Sequence, residues 1–323
     1  MLVKDLRNVI EKYSEKDKEN IIIELYKKIP KRVKEDYSID EYIMDIRKPK
    51  LKEEKKVTFD DLEKEIMEFI KCANEGLYSE PNKIISKNER TKWRFKFKGY
   101  YKELSKILPD TLEGKKATYL LEELFKLISH SSVYLTFTNY ETFRAIQVEQ
   151  GEFYDNVMKR KLAVSCNDEI LESCVKFLEV DGNPYGFSNE LCKAFKSNLG
   201  TTDMKENAVK MLKEKVIEIK EKIRIYNKKS GYSHYVFDLE EKNNNFVICV
   251  LNICFEIGKI DEGIAYYHKN YLCKVKEVKE YILLEEIENY ELDDVWVREY
   301  EEHLGKIDYR ESLVERYNEL KNL

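Results

Sequence analysis

TFDDLEKEIMEFIKCANEG, residues 58–76, sets the pattern for the whole chain. Leu62, Ile66, Phe69, Ile70 and Ala73 recur with a period of 3.6, so they share one face of a helix. Thr58 stands at an N-cap position, where a hydroxyl accepts from backbone N–H groups that have no partner within the helix. Gly76 falls where a helix ends in a left-handed residue. The same grammar recurs upstream. Leu2, Leu6, Val9, Ile10 and Tyr13 fall on one face. Ser14 and Asp17 open a second helix, which carries Ile22, Ile23, Leu25 and Tyr26 and stops at Pro30. Ser38 and Glu41 cap a third, ending near Ile46. Asp110 to Glu113 and Thr138 to Glu141 read as further caps.

Composition agrees with helices throughout. In 323 residues there are only 11 glycines and 5 prolines, and no proline follows Pro184. β architectures draw heavily on both residues for turns, so their scarcity favours long helices with short connections. Residues 131–138 are β-branched and aromatic and admit a short strand or extended link. Residues 231–245 are the longest non-periodic stretch of the second half. The segment 47–57 is charged and reads as a linker, which gives an N-terminal helical module at 1–46 and a larger domain at 58–323. A turn-rich loop at 181–186 is a candidate sub-boundary.

No apolar run approaches the roughly 18 residues of a membrane span, and Met1 to Asn8 carry three charges with no apolar block after them. A cytoplasmic protein with no membrane partner is expected. The seven cysteines lack framework spacing and read as free, mostly buried thiols. Net charge is −5, yet residues 1–110 sum to +4 and residues 281–323 to −8. Either the two ends touch, or the N-terminal third meets an acidic partner.

Ile257-Gly-Lys-Ile-Asp261 recurs as Leu304-Gly-Lys-Ile-Asp308, 47 residues later, and looser versions centre on Gly151 and Gly200. Such a period suggests stacked helical hairpins, each unable to bury its apolar face alone. Residues 255–271 resemble the turn and second helix of a tetratricopeptide repeat. Gly258 stands at the turn, Gly263 where the family has a small residue, and Tyr267 where it has an aromatic one. Asn270 replaces the usual alanine and no closing proline follows. The period lies nearer to that of HEAT or armadillo repeats. The resemblance implies a helical-repeat binding scaffold over about residues 245–320.

Four candidate surfaces follow. Between Lys83 and Lys106 there are nine Lys or Arg against two Glu. Arg90, Arg94, Lys98, Lys102 and Lys106 recur every four residues, a basic stripe on a helix. Trp93 and its aromatic neighbours Phe97, Tyr100 and Tyr101 lie beside it, a combination suited to phosphate contacts and base stacking. Gly99 weakens a helix there by about 1 kcal/mol, and residues 93–98 also alternate like a strand. Second, Val209, Leu212, Val216, Ile219, Ile223 and Tyr226 form a short heptad seam flanked by lysines, for which the acidic segment 285–302 is a matching partner. Third, Cys249, Cys254, His268 and Cys273 approach zinc-finger spacing, although the first two sit in an apolar run. Fourth, Arg298 and His303 resemble the Arg-x4–6-His pair of the HEPN ribonucleases, which would act on an RNA phosphodiester. The glutamates around that pair oppose a phosphate backbone.

The sequence therefore predicts an all-α fold, an α-solenoid-like stack of helical hairpins behind a small N-terminal helical module. The function expected is a non-enzymatic interaction protein that binds a protein or peptide partner without a cofactor. A nucleic-acid-binding protein using residues 83–106 is the alternative, and a HEPN-like ribonuclease a more remote one.

Overall fold

The computed structural model describes residues 3–36, 39–44, 58–138, 141–179, 190–230 and 234–322. Every regular element among them is helical. The expected linker at 47–57 and the loop at 181–186 lie outside the described residues. No helix among them is long and apolar enough to cross a membrane. The chain divides into two compact units, Met1–Leu62 and Glu63–Leu323.

The first unit carries α1 (Val3–Ile10), α2 (Glu15–Lys28), α3 (Lys31–Asp36) and α4 (Ile39–Met44). Ser14 caps α2 by accepting from the Asp17 N–H, as its position in sequence predicts. The helix ends at Ile29 because Pro30 follows. None of its residues is buried.

The second unit is built on a core of stacked rings and aliphatic seams. Helix α5 (Phe59–Asn74) buries Ile66, Phe69, Ile70, Cys72 and Ala73. It closes on Gly76 at φ +74°, with Leu77 N–H donating to the Cys72 carbonyl and Gly76 N–H to that of Ala73. Next come α6 (Lys87–Thr91), opened by a Ser86–Glu89 capping box, and α7 (Trp93–Lys106). Residues 93–98 are therefore helix and not strand. Spacings of four, three and four put Trp93, Phe97, Tyr100 and Leu104 on the buried face and leave Phe95 59 % exposed.

Helix α8 (Leu112–Val133) continues through the first residues of the 131–138 segment, and no strand follows. Thr111 caps it in place of Asp110. Phe137 then turns into the core, stacked 4.0 Å from Trp93 at 13° and 5.9 Å from Phe69. The β-branched and aromatic composition thus marks an extended plug. The α7–α8 connection is held by Arg160 of α10 (Gln150–Val164), 5 % exposed, whose guanidinium donates to the carbonyls of Ser105, Ile107 and Gly114 and to Thr118 Oγ1. Between these lies α9 (Thr142–Ile146), and after α10 come α11 (Asp168–Phe177) and α12 (Glu190–Ser197).

Helix α13 (Thr202–Ser230) packs on α14 (His234–Glu256) and on α11. Val209, Leu212, Val216, Ile219 and Ile223 are all buried, and each such side chain contributes about 1.5–3 kcal/mol. The seam is intramolecular and meets α14, not the acidic 285–302 segment. Its lysines find acids elsewhere: Lys213 pairs with Glu262 at 2.7 Å and Lys215 with Glu179 at 2.7 Å. Residues from His234 onward are helical, which corrects the non-periodic reading of 231–245. Three asparagines obscure the period there. Asn243 is buried and donates to the Asn270 carbonyl, while Asn244 exchanges two bonds with the backbone of Leu272.

The remaining helices are α15 (Ile260–Asn270), α16 (Lys276–Glu288), α17 (Asp293–Glu302) and α18 (Glu311–Lys321). Sequential neighbours pair as hairpins: α14 with α15, α16 with α17, α17 with α18. Gly258 and Gly305 both adopt positive φ, +74° and +76°. After Gly258 the next helix starts at Ile260, whereas after Gly305 it waits until Glu311, so the two pentapeptides share a turn residue but not a motif. Gly151 is inside α10 and so is not a turn, whereas Gly200 lies in the connection between α12 and α13 without a positive φ. At Gly263 an added Cβ would lie 2.8 Å from Cys254 Cβ, which is the close helix approach expected of a small residue there.

Candidate metal centre

Three consecutive helices each turn a polar side chain into one spot. On α16, Glu280 shares its face with Leu283, Leu284 and Ile287, all four buried. On α17, Glu299 lies with Trp296 and Tyr300, all buried, and His303, one turn further, is the C-cap residue. On α15, His268 follows Tyr267 on the side that meets α16. A carboxylate at an apolar-face position is carried inward by the same burial that buries its neighbours, and it must find a partner there.

The resulting cluster is tight. His268 Nε2 lies 3.2 Å from Glu299 Oε2, and His303 Nδ1 lies 3.6 Å from Glu280 Oε1. The two imidazoles are 5.5 Å apart. One ligating atom from each of His268, Glu280 and Glu299 falls within 4.8 Å of the others. Glu280 and Glu299 are 2 % and 3 % exposed, while the two histidine side chains retain 31 % and 25 % exposure. The histidines are thus the solvent-exposed members of the cluster.

Glu280 is the most constrained member. Its Oε1 is buried without a hydrogen-bond partner. Burial holds its carboxyl above the ordinary carboxylate range, against the opposing pull of His303 and His268. A divalent cation would relieve both strains, because it supplies the missing partner and balances two carboxylates that otherwise repel. Ligands about 2.1 Å from one tetrahedral ion stand roughly 3.4 Å apart, so the trio must draw in by about 1 Å, within reach of side-chain rotation. The donor set, imidazole nitrogen with carboxylate oxygen, suits Zn²⁺, Mn²⁺ or Fe²⁺ over Mg²⁺ or Ca²⁺, which take oxygen alone.

A second layer holds the ligands. Arg298 Nη2 donates to Asp261 at 2.7 Å and stands 3.5 Å from Glu299 Oε1. Lys279 Nζ donates to the His268 carbonyl at 2.6 Å, and Tyr267 Oη donates to the Lys279 carbonyl at 2.8 Å. These bonds fasten the end of α15 to the start of α16. Such outer contacts orient ligands and tune their basicity.

The cluster draws one residue from each of two separate sequence patterns. His268 comes from the cysteine set, but its cysteines do not accompany it. Cys249 and Cys254 are buried in α14, and the Cys273 thiol donates to the Val275 carbonyl. The Cys192 thiol and burial together hold Cys249 well above its usual range, opposite to what a thiolate ligand requires. His303 comes from the Arg298 pair, but Arg298 is turned to Asp261. Glu280 and Glu299 carry no sequence motif of the usual kind. Their signal is an acid at the i, i+3, i+4, i+7 positions of an apolar face, together with the i, i+4 spacing of Glu299 and His303.

The basic stretch is placed differently from its sequence pattern. Trp93 is core, which removes it as a stacking surface. Arg90 donates to the Ile85 carbonyl, Lys98 to Gln147 and Lys106 to Glu103. Arg94 and Lys102 are exposed. Among the described residues the stretch pairs with Glu65 and Glu103, neither of which lies in residues 281–323. No family model, curated protein or solved structure matches the chain.

Proposed function

We propose that the chain is a helical metal-binding protein that holds one divalent transition-metal ion between α15, α16 and α17. Its ligands are His268, Glu280 and Glu299, with His303 beside Glu280 as a fourth donor or a hydrogen-bond partner. The observation that carries this reading is the convergence of His268 and the two buried carboxylates on one spot, with a Glu280 oxygen that has no hydrogen bond. Three protein ligands and access past the histidines leave room for water or a small ligand on the ion, the arrangement that lets a bound metal act as a Lewis acid.

The test is titration of chelator-treated protein with Zn²⁺, Mn²⁺ and, anaerobically, Fe²⁺, with Co²⁺ as a spectroscopic probe. One equivalent should bind and release protons. Co²⁺ should give visible bands of a nitrogen–oxygen site without thiolate charge transfer. His268→Ala and Glu299→Gln should each weaken binding 10-fold or more, while Cys249→Ser and Cys273→Ser leave it unchanged. Binding that survives His268→Ala but not Cys273→Ser would overturn the assignment.

A second reading, a scaffold for a protein partner, is favoured by the first unit. Within it Leu6, Val9, Tyr13, Ile22, Ile23, Leu25, Ile43 and Met44 are all exposed, from 40 % to 88 %. So dense an apolar surface usually marks an interaction site. Loss of a cross-linked protein partner on Ile22→Glu with Leu25→Glu, while binding of the metal persists, would separate this role from the first.

A further inference from the structure

The face carried by α6 and α7 is the other feature that the fold leaves unexplained. Its buried side is fully used, since Trp93, Phe97, Tyr100 and Leu104 lock the helix onto the core. The outer side is different. Lys83, Lys87, Lys92, Arg94 and Lys102 are all exposed, and none meets an acidic side chain among the described residues. Nearby cations behave otherwise. Lys96 pairs with Glu65 at 3.3 Å and Lys106 with Glu103 at 2.7 Å. In a chain with 62 acids against 57 Lys and Arg, five exposed cations between residues 83 and 102 that meet no acid among the described residues are not a matter of acid shortage.

Among these cations stands an exposed ring. Phe95 is 59 % exposed, and the Arg94 guanidinium lies 4.7 Å from its centroid. A ring backed by a guanidinium is a platform on which a flat aromatic base can stack. Gly99, one turn beyond Phe95, has no atom within 4 Å of an added Cβ, so the surface next to the ring is open. Phe95 lies outside the buried aromatic face that the spacing of the sequence emphasises.

We propose that this α6–α7 face binds single-stranded nucleic acid, with Phe95 stacking on a base and Arg94, Lys102, Lys92, Lys87 and Lys83 meeting phosphates. An acidic peptide or an anionic membrane would use the charges but would have no need of the exposed ring. The face owes nothing to the metal cluster, so the two proposals stand or fall separately.

The experiment uses the full chain and a fluorescently labelled 20-nucleotide single strand, read by anisotropy. Neutralising about four to five phosphates gives a slope near −3 in log affinity against log salt, so affinity should fall about 50- to 100-fold between 50 and 200 mM salt. Arg94→Glu with Lys102→Glu should abolish binding. Lys83→Glu with Lys87→Glu, a second pair on exposed positions, should weaken it at least 10-fold. Phe95→Ala should weaken it about 5- to 100-fold and leave the salt slope unchanged, which a purely electrostatic contact would not show. His268→Ala should bind as the unaltered protein does. Circular dichroism of each variant confirms the fold. Absence of binding at 50 mM salt, or full binding by the Arg94/Lys102 variant, would overturn the proposal. So would equal binding of a poly-glutamate peptide or of phosphatidylserine vesicles.

Discussion

Glu280→Gln should raise the stability of the metal-free protein and abolish its response to metal. Glu280 is 2 % exposed and its Oε1 has no hydrogen-bond partner, so desolvation of its ionised form outweighs the pull of His303 and His268. Leaving such a group unsatisfied costs about 1–3 kcal/mol, and an amide of the same shape removes the charged part of that cost. The sign with pH follows from the direction of the shift. The folded carboxyl is held above its ordinary value of 4.5, so the folded state keeps a proton that the unfolded chain has released. This contribution is fully present below 4.5 and is lost as pH rises through the folded value. Metal reverses the slope, because only the deprotonated carboxylate and neutral imidazole bind it. At 100-fold excess over Kd the ion adds about 2.7 kcal/mol. For a unit of this size that is a rise in Tm of about 5–11 °C. The assay is thermal unfolding at pH 6 and pH 8, with chelator and with Zn²⁺, for both proteins. With chelator the glutamine variant should melt higher. With Zn²⁺ only the unaltered protein should gain, and more at pH 8. A glutamine variant that melts lower with chelator would show that the carboxylate is a satisfied structural group. Equal zinc shifts in both proteins would place the ion elsewhere. Either result refutes the reasoning.

Other substitutions test the frame that holds the site. Gly263→Val should cost about 1–3 kcal/mol, since the new Cβ meets Cys254 Cβ at 2.8 Å and forces α14 and α15 apart; the urea midpoint reports it. Arg160→Met should cost roughly 3 kcal/mol by stripping donors from the Ser105, Ile107 and Gly114 carbonyls, which lowers the urea midpoint by about 1 M. Phe137→Ala should cost about 3–5 kcal/mol and change the near-ultraviolet dichroism of Trp93, the ring it stacks on at 4.0 Å; an unchanged Trp93 signal would mean that the plug is not seated in solution.

The helices were legible because their signals are local. Ser14, Thr58 and Ser86 act within three residues of themselves, and Gly76 and Gly258 take the left-handed backbone their positions require. Local signals mislead where a side chain's role is set from far along the chain. Phe137 looked like strand because its partners, Trp93 and Phe69, lie 44 and 68 positions away. The asparagines of α14 looked like loop because the backbone they bind belongs to residues 270–272. Gly151 looked like a turn, yet its buried place in α10 is explained by Glu190, whose Cβ would lie 3.1 Å from an added methyl.

The His268–Glu280–Glu299 cluster lies between these cases. No spacing rule joins His268, Glu280 and Glu299, because three helices supply them and the turns decide their meeting. Yet each helix announces its own contribution. An α-helix that buries Leu283, Leu284 and Ile287 must bury residue 280 as well, whatever stands there. The same holds for residue 299 beside Trp296 and Tyr300. A glutamate at such a position is costly unless something offsets it, and two on helices that pack together compound the cost by repulsion. Here Arg298 stands beside the Glu299 carboxylate, while Glu280 has two imidazoles near it and an oxygen with no partner. What sets this cluster apart from the lysine-paired acids Glu179 and Glu122 is that two buried carboxylates and two imidazoles converge on one spot. On the proposed reading a divalent ion, within reach of nitrogen and oxygen donors together, would supply the positive charge that offsets the two acids.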